Sequence, residues 1–267
     1  MSLREVKDKK GAQPIAQIHY ANKKKPSYVA MEYDESTQVR TMEIKQGNLS
    51  FYPYIAEEDV LQIIIAGPKH SGKSTLAAHV IHELRKIKQY KKLPVFFISL
   101  KRVDNVDKAF KDTQNFIPLD MSDPDFLNLR WEEFRDCIVL FDDFNQDGLD
   151  KTNKRSVEYT TYRHTMNLLN KLMQIARKEN VHVIIILHEI MNYQETRSMI
   201  KEADYYVLFP RTDLNSVTTF FKTYIRKTDN KKEISRIENI TGPKHTPLII
   251  HKSAPRFMMS DKFIQLV

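Results

Sequence analysis

The stretch Ile63-Ile64-Ile65-Ala66-Gly67-Pro68-Lys69-His70-Ser71-Gly72-Lys73-Ser74-Thr75 decides how this chain is read. Residues 67–74 fit G-x-x-x-x-G-K-[ST], with an apolar strand pattern before them and a helical pattern after, the setting in which the motif has meaning. Glycines let the backbone curl so that successive N–H groups converge on one concavity, and the helix that follows adds its positive end there. The pattern predicts a phosphate cradle running from Gly67 to Thr75. Lys73 is expected to reach the β- and γ-phosphates of a nucleotide, and the Ser74 hydroxyl to ligate Mg2+. The bland alternative is a glycine turn between strand and helix, which needs neither the lysine nor the hydroxyl.

Outward from that motif, strand and helix patterns alternate. Leu61 to Ala66 reads as a strand and Lys73 to Lys91 as a helix, with Leu76, Val80, Ile81, Leu84 and Ile87 on one face. Further strands are expected at Pro94 to Ser99, Cys137 to Phe141, Val181 to Leu187 and Asp204 to Phe209. A helix carries Tyr162, Met166, Leu169, Met173 and Ala176 at spacings of four and three, which are core positions. The alternation predicts an α/β fold with a mostly parallel central sheet flanked by helices. Residues 1–56 are polar and basic and are expected as an N-terminal arm with short edge strands. Residues 57–211 form the expected nucleotide-binding core, and residues 212–267 a small C-terminal α/β appendage closing on it.

The second informative stretch is Cys137-Ile138-Val139-Leu140-Phe141-Asp142-Asp143. Two carboxylates at the end of a buried apolar strand cost several kcal/mol, of order ~3, unless something cationic compensates. Downstream of a phosphate cradle that cation is expected to be Mg2+, with Asp142 holding the metal and Asp143 polarising the attacking water. A strand-ending Asp that merely caps the next element is the alternative. His188, at the tip of the most apolar strand, is expected beside the γ-phosphate, or else is an ordinary strand-end residue. It is no zinc signature, because Asn192 stands where H-E-x-x-H needs its second histidine.

Composition bounds the rest. The 267 residues are 41% hydrophobic, enough for one large core, and carry a formal net charge of +8, which favours a polyanionic partner. Basic tracts lie at 7–10, 23–25, 85–92, 151–155 and 222–232, each of which is otherwise a solvated face. No apolar run is long enough to span a membrane, and the polar start is unlike a signal peptide. The single cysteine, Cys137, cannot form an internal disulfide. The expectation is a soluble intracellular protein.

Taken in order, the cradle, the Asp142-Asp143 strand, the helix ending Ala176-Arg177-Lys178-Glu179-Asn180, the strand ending in His188, Glu195-Thr196-Arg197-Ser198, the strand 203–210 ending Phe209-Pro210, and the tail segments 247–250 and 255–260 resemble the poxvirus-type virion DNA-packaging ATPases of nucleocytoplasmic large DNA viruses, within the FtsK/HerA superfamily. The resemblance covers roughly residues 58–267. It implies an oligomeric ring that couples ATP hydrolysis to driving double-stranded DNA, without regard to sequence, into a capsid. It implies capsid or virion assembly proteins as partners and a location in the virion or the viral factory of the host cytoplasm. It also implies an arginine supplied to a neighbour's active site, with Arg197 the first candidate and Arg177 and Arg211 alternates; a surface arginine paired to Glu195 or Glu202 is the competing reading. Many members of the superfamily carry Glu where this chain has Asp143. Lys151, Lys154 and Arg155, just after the aspartate pair, are expected to touch DNA phosphates. A small-molecule kinase and a non-catalytic ATP-binding assembly factor are the competing functions; no guanine-reading N-K-x-D is present.

Overall fold

Every residue of Gln62–Ala66, Cys137–Asp142 and Val181–Leu187 is buried, so these strands have to be covered on both faces. The computed structural model describes residues 1–8, 12–32, 39–55, 59–100, 110, 113–144, 153–191, 196–225 and 246–267. Its strands are β1 (Ser2–Val6), β2 (Pro14–His19), β3 (Ser27–Glu32), β4 (Thr41–Glu43), β5 (Asn48–Phe51), β6 (Gln62–Ala66), β7 (Val95–Ser99), β8 (Phe116–Asp120), β9 (Cys137–Asp142), β10 (Val181–Leu187), β11 (Tyr205–Leu208), β12 (Leu248–His251), β13 (Phe257–Met259) and β14 (Phe263–Leu266).

A 10-stranded sheet runs β4-β14-β13-β12-β11-β6-β10-β9-β7-β8. From β11 to β8 every pairing is parallel; from β11 back to β4 every pairing is antiparallel. The fold is α/β, as the alternation predicted. Alternate residues of each strand enter opposite cores. Ile64, Val139, Phe141, Val183 and Ile185 meet Leu169, Leu172 and Ala176 of the long helix Val157–Glu179. Ile63, Ile65, Ile138, Leu140, Ile184 and Ile186 meet Ala77, Val80, Ile81 and Leu84 of the helix Lys73–Arg85.

Within residues 1–56, expected as an arm with short edge strands, β1, β2, β3 and β5 form a four-stranded antiparallel sheet ordered β1-β3-β2-β5, and β4 crosses to pair with β14. Leu3, Ile15, Ile18, Val29, Leu49 and Phe51 share the core that holds the Lys73–Arg85 helix. These strands are short and the turn between β2 and β3 carries Lys23, Lys24 and Lys25, so the polar composition hid a buried face. Within residues 246–267, β12, β13 and β14 continue the large sheet outward from β11. The Lys73–Arg85 helix stops six residues short of the expected Lys91: Ile87 is extended and a separate 3-10 turn spans Lys88–Tyr90. β8 was not anticipated; it is an edge strand containing Pro118, a residue tolerated at an edge because it donates no ladder hydrogen bond. The long helix begins at Ser156, whose hydroxyl accepts from the Tyr159 N–H at 3.0 Å, and ends at Asn180 in the left-handed conformation.

Candidate functional site

Because β6, β9, β10 and β11 are parallel, the residues leaving their C-terminal ends emerge on one edge of the sheet. β10 lies between β6 and β9, so His188 leaves the sheet between the glycine loop and the aspartate pair. At ~4.8 Å per strand the loop and Asp142 are about 10 Å apart, a span that a nucleotide's phosphates and a metal ion can bridge.

The two motif glycines are needed for different reasons. A Cβ on Gly67 would lie 2.7 Å from the Phe209 ring and 3.0 Å from Ser71 Oγ, so bulk excludes any other residue there. Gly72 has φ +100°, and a Cβ there would meet nothing within 4 Å, so the requirement is conformational. His70 (φ 63°) also takes the left-handed region, which turns the loop. The Gly67 N–H donates to Leu187 O at 3.2 Å, tying the loop to β10. Lys73 Nζ donates to Gly67 O at 2.6 Å and Pro68 O at 2.8 Å, so the ammonium is folded against the loop it would serve. Ser71 Oγ is buried and has no hydrogen-bond partner.

Across the edge, Asp142 is 2% exposed and in register with Ser99 of β7. Asp143 follows in the left-handed conformation (φ 49°), a region that Asp, Asn and His enter more readily than other non-glycine residues. This turn sets its carboxylate toward His188, whose Nε2 lies 3.0 Å from Asp143 Oδ1. One cavity of about 610 Å³ is lined by residues 69–75 together with Asp142, Asp143 and His188. The sequence-predicted residues Lys73, Ser74, Asp142, Asp143 and His188 thus come together; Gly67 and Pro68 contribute backbone beneath them.

Arg177, Arg197, Arg211, Lys154 and Arg155 are not among the described residues that line that cavity. Arg197 is exposed and opens the short helix Arg197–Glu202. Arg211 is exposed, two residues past the Phe209 that packs on Gly67. Arg177 donates through Nε to Asp59 Oδ1 at 2.7 Å, at the end of the long helix that precedes β10, which is the sheet edge opposite the cavity. Lys154 and Arg155 are exposed in the turn before Ser156. Lys151 and Glu195 lie outside the described residues. Phe209 as the wall behind Gly67 was not foreseen; only the pairing of β11 with β6 brings it there.

A model of the ATPase family associated with various cellular activities (AAA) matches residues 63–205, more than half of the chain. The uncharacterized protein V3 of Sputnik virophage is 28% identical over 255 residues, covering 94% of each chain. Among solved structures, the genome packaging NTPase of Sulfolobus turreted icosahedral virus 2 in complex with ATP-gammaS is 14% identical, with a TM-score of 0.49 over 78% of this chain and 98% of that one. The cytoplasmic domain of the Thermomonospora curvata type VII secretion ATPase is 10% identical, with a TM-score of 0.49 over 98% of this chain and 29% of that one.

Proposed function

Because the chain belongs to the ATPase family associated with various cellular activities, and so binds ATP, we propose that it is a motor that couples ATP hydrolysis to moving double-stranded DNA into a viral capsid. The carrying observation is that Lys73, Ser74, Asp142, Asp143 and His188 line a single cavity. The order of motifs along the chain, the net charge of +8 and a virus-encoded relative spanning 94% of the chain support the packaging role.

In this reading residues 67–75 form the phosphate cradle, with the N–H groups of residues 72–75 at the helix start binding the phosphates, and Lys73 leaves the carbonyls of Gly67 and Pro68 for the β- and γ-phosphates. The buried, unpartnered Ser71 hydroxyl is a further donor to them. The donor set fits Mg2+: one hydroxyl, one buried carboxylate, and, among the described residues, no group of three or more His, Cys, Asp or Glu. Ser74 and Asp142 would hold it, with phosphate oxygens and water completing the shell; the bound ion would neutralise charge developing on the β- and γ-phosphates. Asp143 accepts a proton from a water whose oxygen attacks the γ-phosphorus as the bond to the bridging oxygen breaks, giving ADP and phosphate. His188 holds Asp143 through the 3.0 Å contact and lines the same cavity, where it would respond to the γ-phosphate. Arg197 of a neighbouring copy supplies charge to the transferring group within a ring, and such a finger is typically worth ~10³ to 10⁵ in rate. Lys151, Lys154 and Arg155 contact DNA phosphates. Residues 1–56, 57–211 and 212–267 are assigned as N-terminal unit, ATPase core and closing segment, and capsid proteins as docking partners.

The test is ATP turnover by the wild type, Lys73→Ala, Asp143→Asn and Lys151→Ala/Lys154→Ala/Arg155→Ala, each with and without duplex DNA. Asp143→Asn is expected to lose about 10² to 10⁴ in kcat while still binding ATP. The triple variant is expected to keep basal turnover and lose stimulation by DNA. Turnover that ignores DNA and requires a small acceptor would indicate a kinase, and absence of turnover in the wild type an ATP-binding assembly factor.

A further inference from the structure

The helix that begins at the nucleotide loop ends beside a second cavity, of about 340 Å³, on the opposite edge of the sheet. Its lining includes His82 and Arg85 from the last helical turn, Lys91 from the connector, Thr113 and Gln114 just ahead of β8, and the buried Ile81. No Asp or Glu lines it among the described residues. Arg85 is fixed in place by donating to Leu93 O at 3.0 Å and to Gln114 O, while its Nε–H is buried without a partner. Of the lysines in tract 85–92, Lys86 pairs with Glu83 at 2.5 Å; Lys88, Lys91 and Lys92 are exposed and make no ion pair among the described residues. A helix C-terminus favours cations through its dipole, an effect that fades beyond the last turn. It accounts for His82 and Arg85. It does not account for Lys91 and its neighbours outside the helix, nor for a cavity that adds a hydroxyl and a carboxamide to them.

A rigidly held guanidinium with Nη1 still to pair among the described residues, an ammonium and an imidazole on residues around one recess, with Thr113 and Gln114 beside them, suit the oxygens of a phosphate group. We propose that this cavity is a second phosphate-binding site, separate from the ATP site, taking a phosphate carried by duplex DNA or free in solution. It extends the reading of the 85–92 tract from a solvated face to a ligand site, and it stands whether or not residues 151–155 contact DNA.

The experiment uses the full chain with its nucleotide site filled by a non-hydrolysable ATP analogue and magnesium, so that the glycine loop does not report. Fluorescence anisotropy follows a short labelled duplex across a salt titration, and phosphorus NMR follows inorganic phosphate. The variant His82→Gln/Lys91→Glu leaves Arg85 and its structural bonds alone, and Lys24→Glu, in an exposed turn of the N-terminal sheet, makes the same change in formal charge elsewhere. For a DNA-borne phosphate, the double variant binds duplex about tenfold more weakly with a salt slope smaller by about one, and Lys24→Glu does not. For a free phosphate, line broadening seen with the wild type disappears in the double variant while duplex affinity holds. Unchanged duplex affinity and unchanged phosphate broadening, or an equal loss in Lys24→Glu, overturns the site. If the Lys154→Ala/Arg155→Ala variant loses DNA stimulation but keeps these responses, the two phosphate contacts are separate; if it keeps both, only the loop assignment fails.

Discussion

Single residues at this site answer to two different physical limits. Gly67 is confined by bulk, because the Phe209 ring occupies the space a Cβ would take, whereas Gly72 is confined by its backbone angle. The two substitutions to alanine therefore have distinct signatures. Gly67→Ala forces the loop and Phe209 apart and is expected to weaken ATP-analogue binding by at least about tenfold, with partial recovery in Gly67→Ala/Phe209→Leu, where the side chain can yield. Gly72→Ala meets no atom and carries only the cost of a positive φ, about 1–2 kcal/mol of stability, and no second-site change at Phe209 relieves it. Equilibrium binding and thermal unfolding of the three variants read both effects. Asp143 is a third case: its left-handed backbone is tolerated because the turn delivers its carboxylate to His188.

At the scale of an element, β10 links the two edges of the sheet. Its C-terminal end releases His188 into the cavity, and its second residue, His182, is fully buried near the other end. The Leu61 N–H donates to His182 Nδ1 at 2.9 Å, which leaves the ring proton on Nε2, and Tyr90 packs edge-on at 4.3 Å between ring centres. Burial pushes the His182 pKa down to about 4, against a smaller opposing pull from the Asp59 carboxylate. The unfolded chain, with an ordinary histidine pKa of ~6.5, therefore binds more protons than the folded chain between about pH 6.5 and 4. Stability from this residue is full above pH 6.5 and is lost as pH falls toward 4. Going from pH 7 to 5 is expected to cost about 2 kcal/mol in urea unfolding. His79 and His251, also lowered by burial, add to the same slope. His182→Gln should flatten it; an unchanged slope would place the effect elsewhere.

In the whole molecule, the N-terminal sheet is tied to the far end of the helix that leaves the glycine loop by a buried carboxylate, in addition to the apolar core they share. Glu83, on the helix that starts at Lys73, is 1% exposed and accepts from Gln17 Nε2 of β2 at 2.7 Å and from Lys86 Nζ at 2.5 Å. Removing Gln17 leaves a buried carboxyl oxygen with one partner fewer, expected to cost about 1–3 kcal/mol. Gln17→Ala should lower the urea midpoint by that amount, and Gln17→Ala/Glu83→Gln should recover part of it, because the buried charge is gone. If the double variant is as unstable as the sum of both single changes, Gln17 and Glu83 act independently.

Local pattern was enough for the glycine loop, the strands β6, β9 and β10, and the long helix, because each is written in consecutive residues: a motif of fixed spacing, continuous apolar runs, a period of four and three. Lys73, Ser74, Asp142, Asp143 and His188, each at the end of such a local pattern, line one cavity. What the chain does not write locally is strand order. That β10 lies between β6 and β9, that β11 brings Phe209 behind Gly67, and that β4 crosses to the far edge are long-range pairings, decided by which buried faces fit together. Short strands were legible in residues 1–56, but their assembly into a sheet with a buried face was not, since short strands bury alternate residues and leave the average composition polar. Sequence thus determined the chemistry at the sheet's edge, and tertiary packing determined what stands next to what, because contact between distant segments is settled by burial of both faces of one sheet at once.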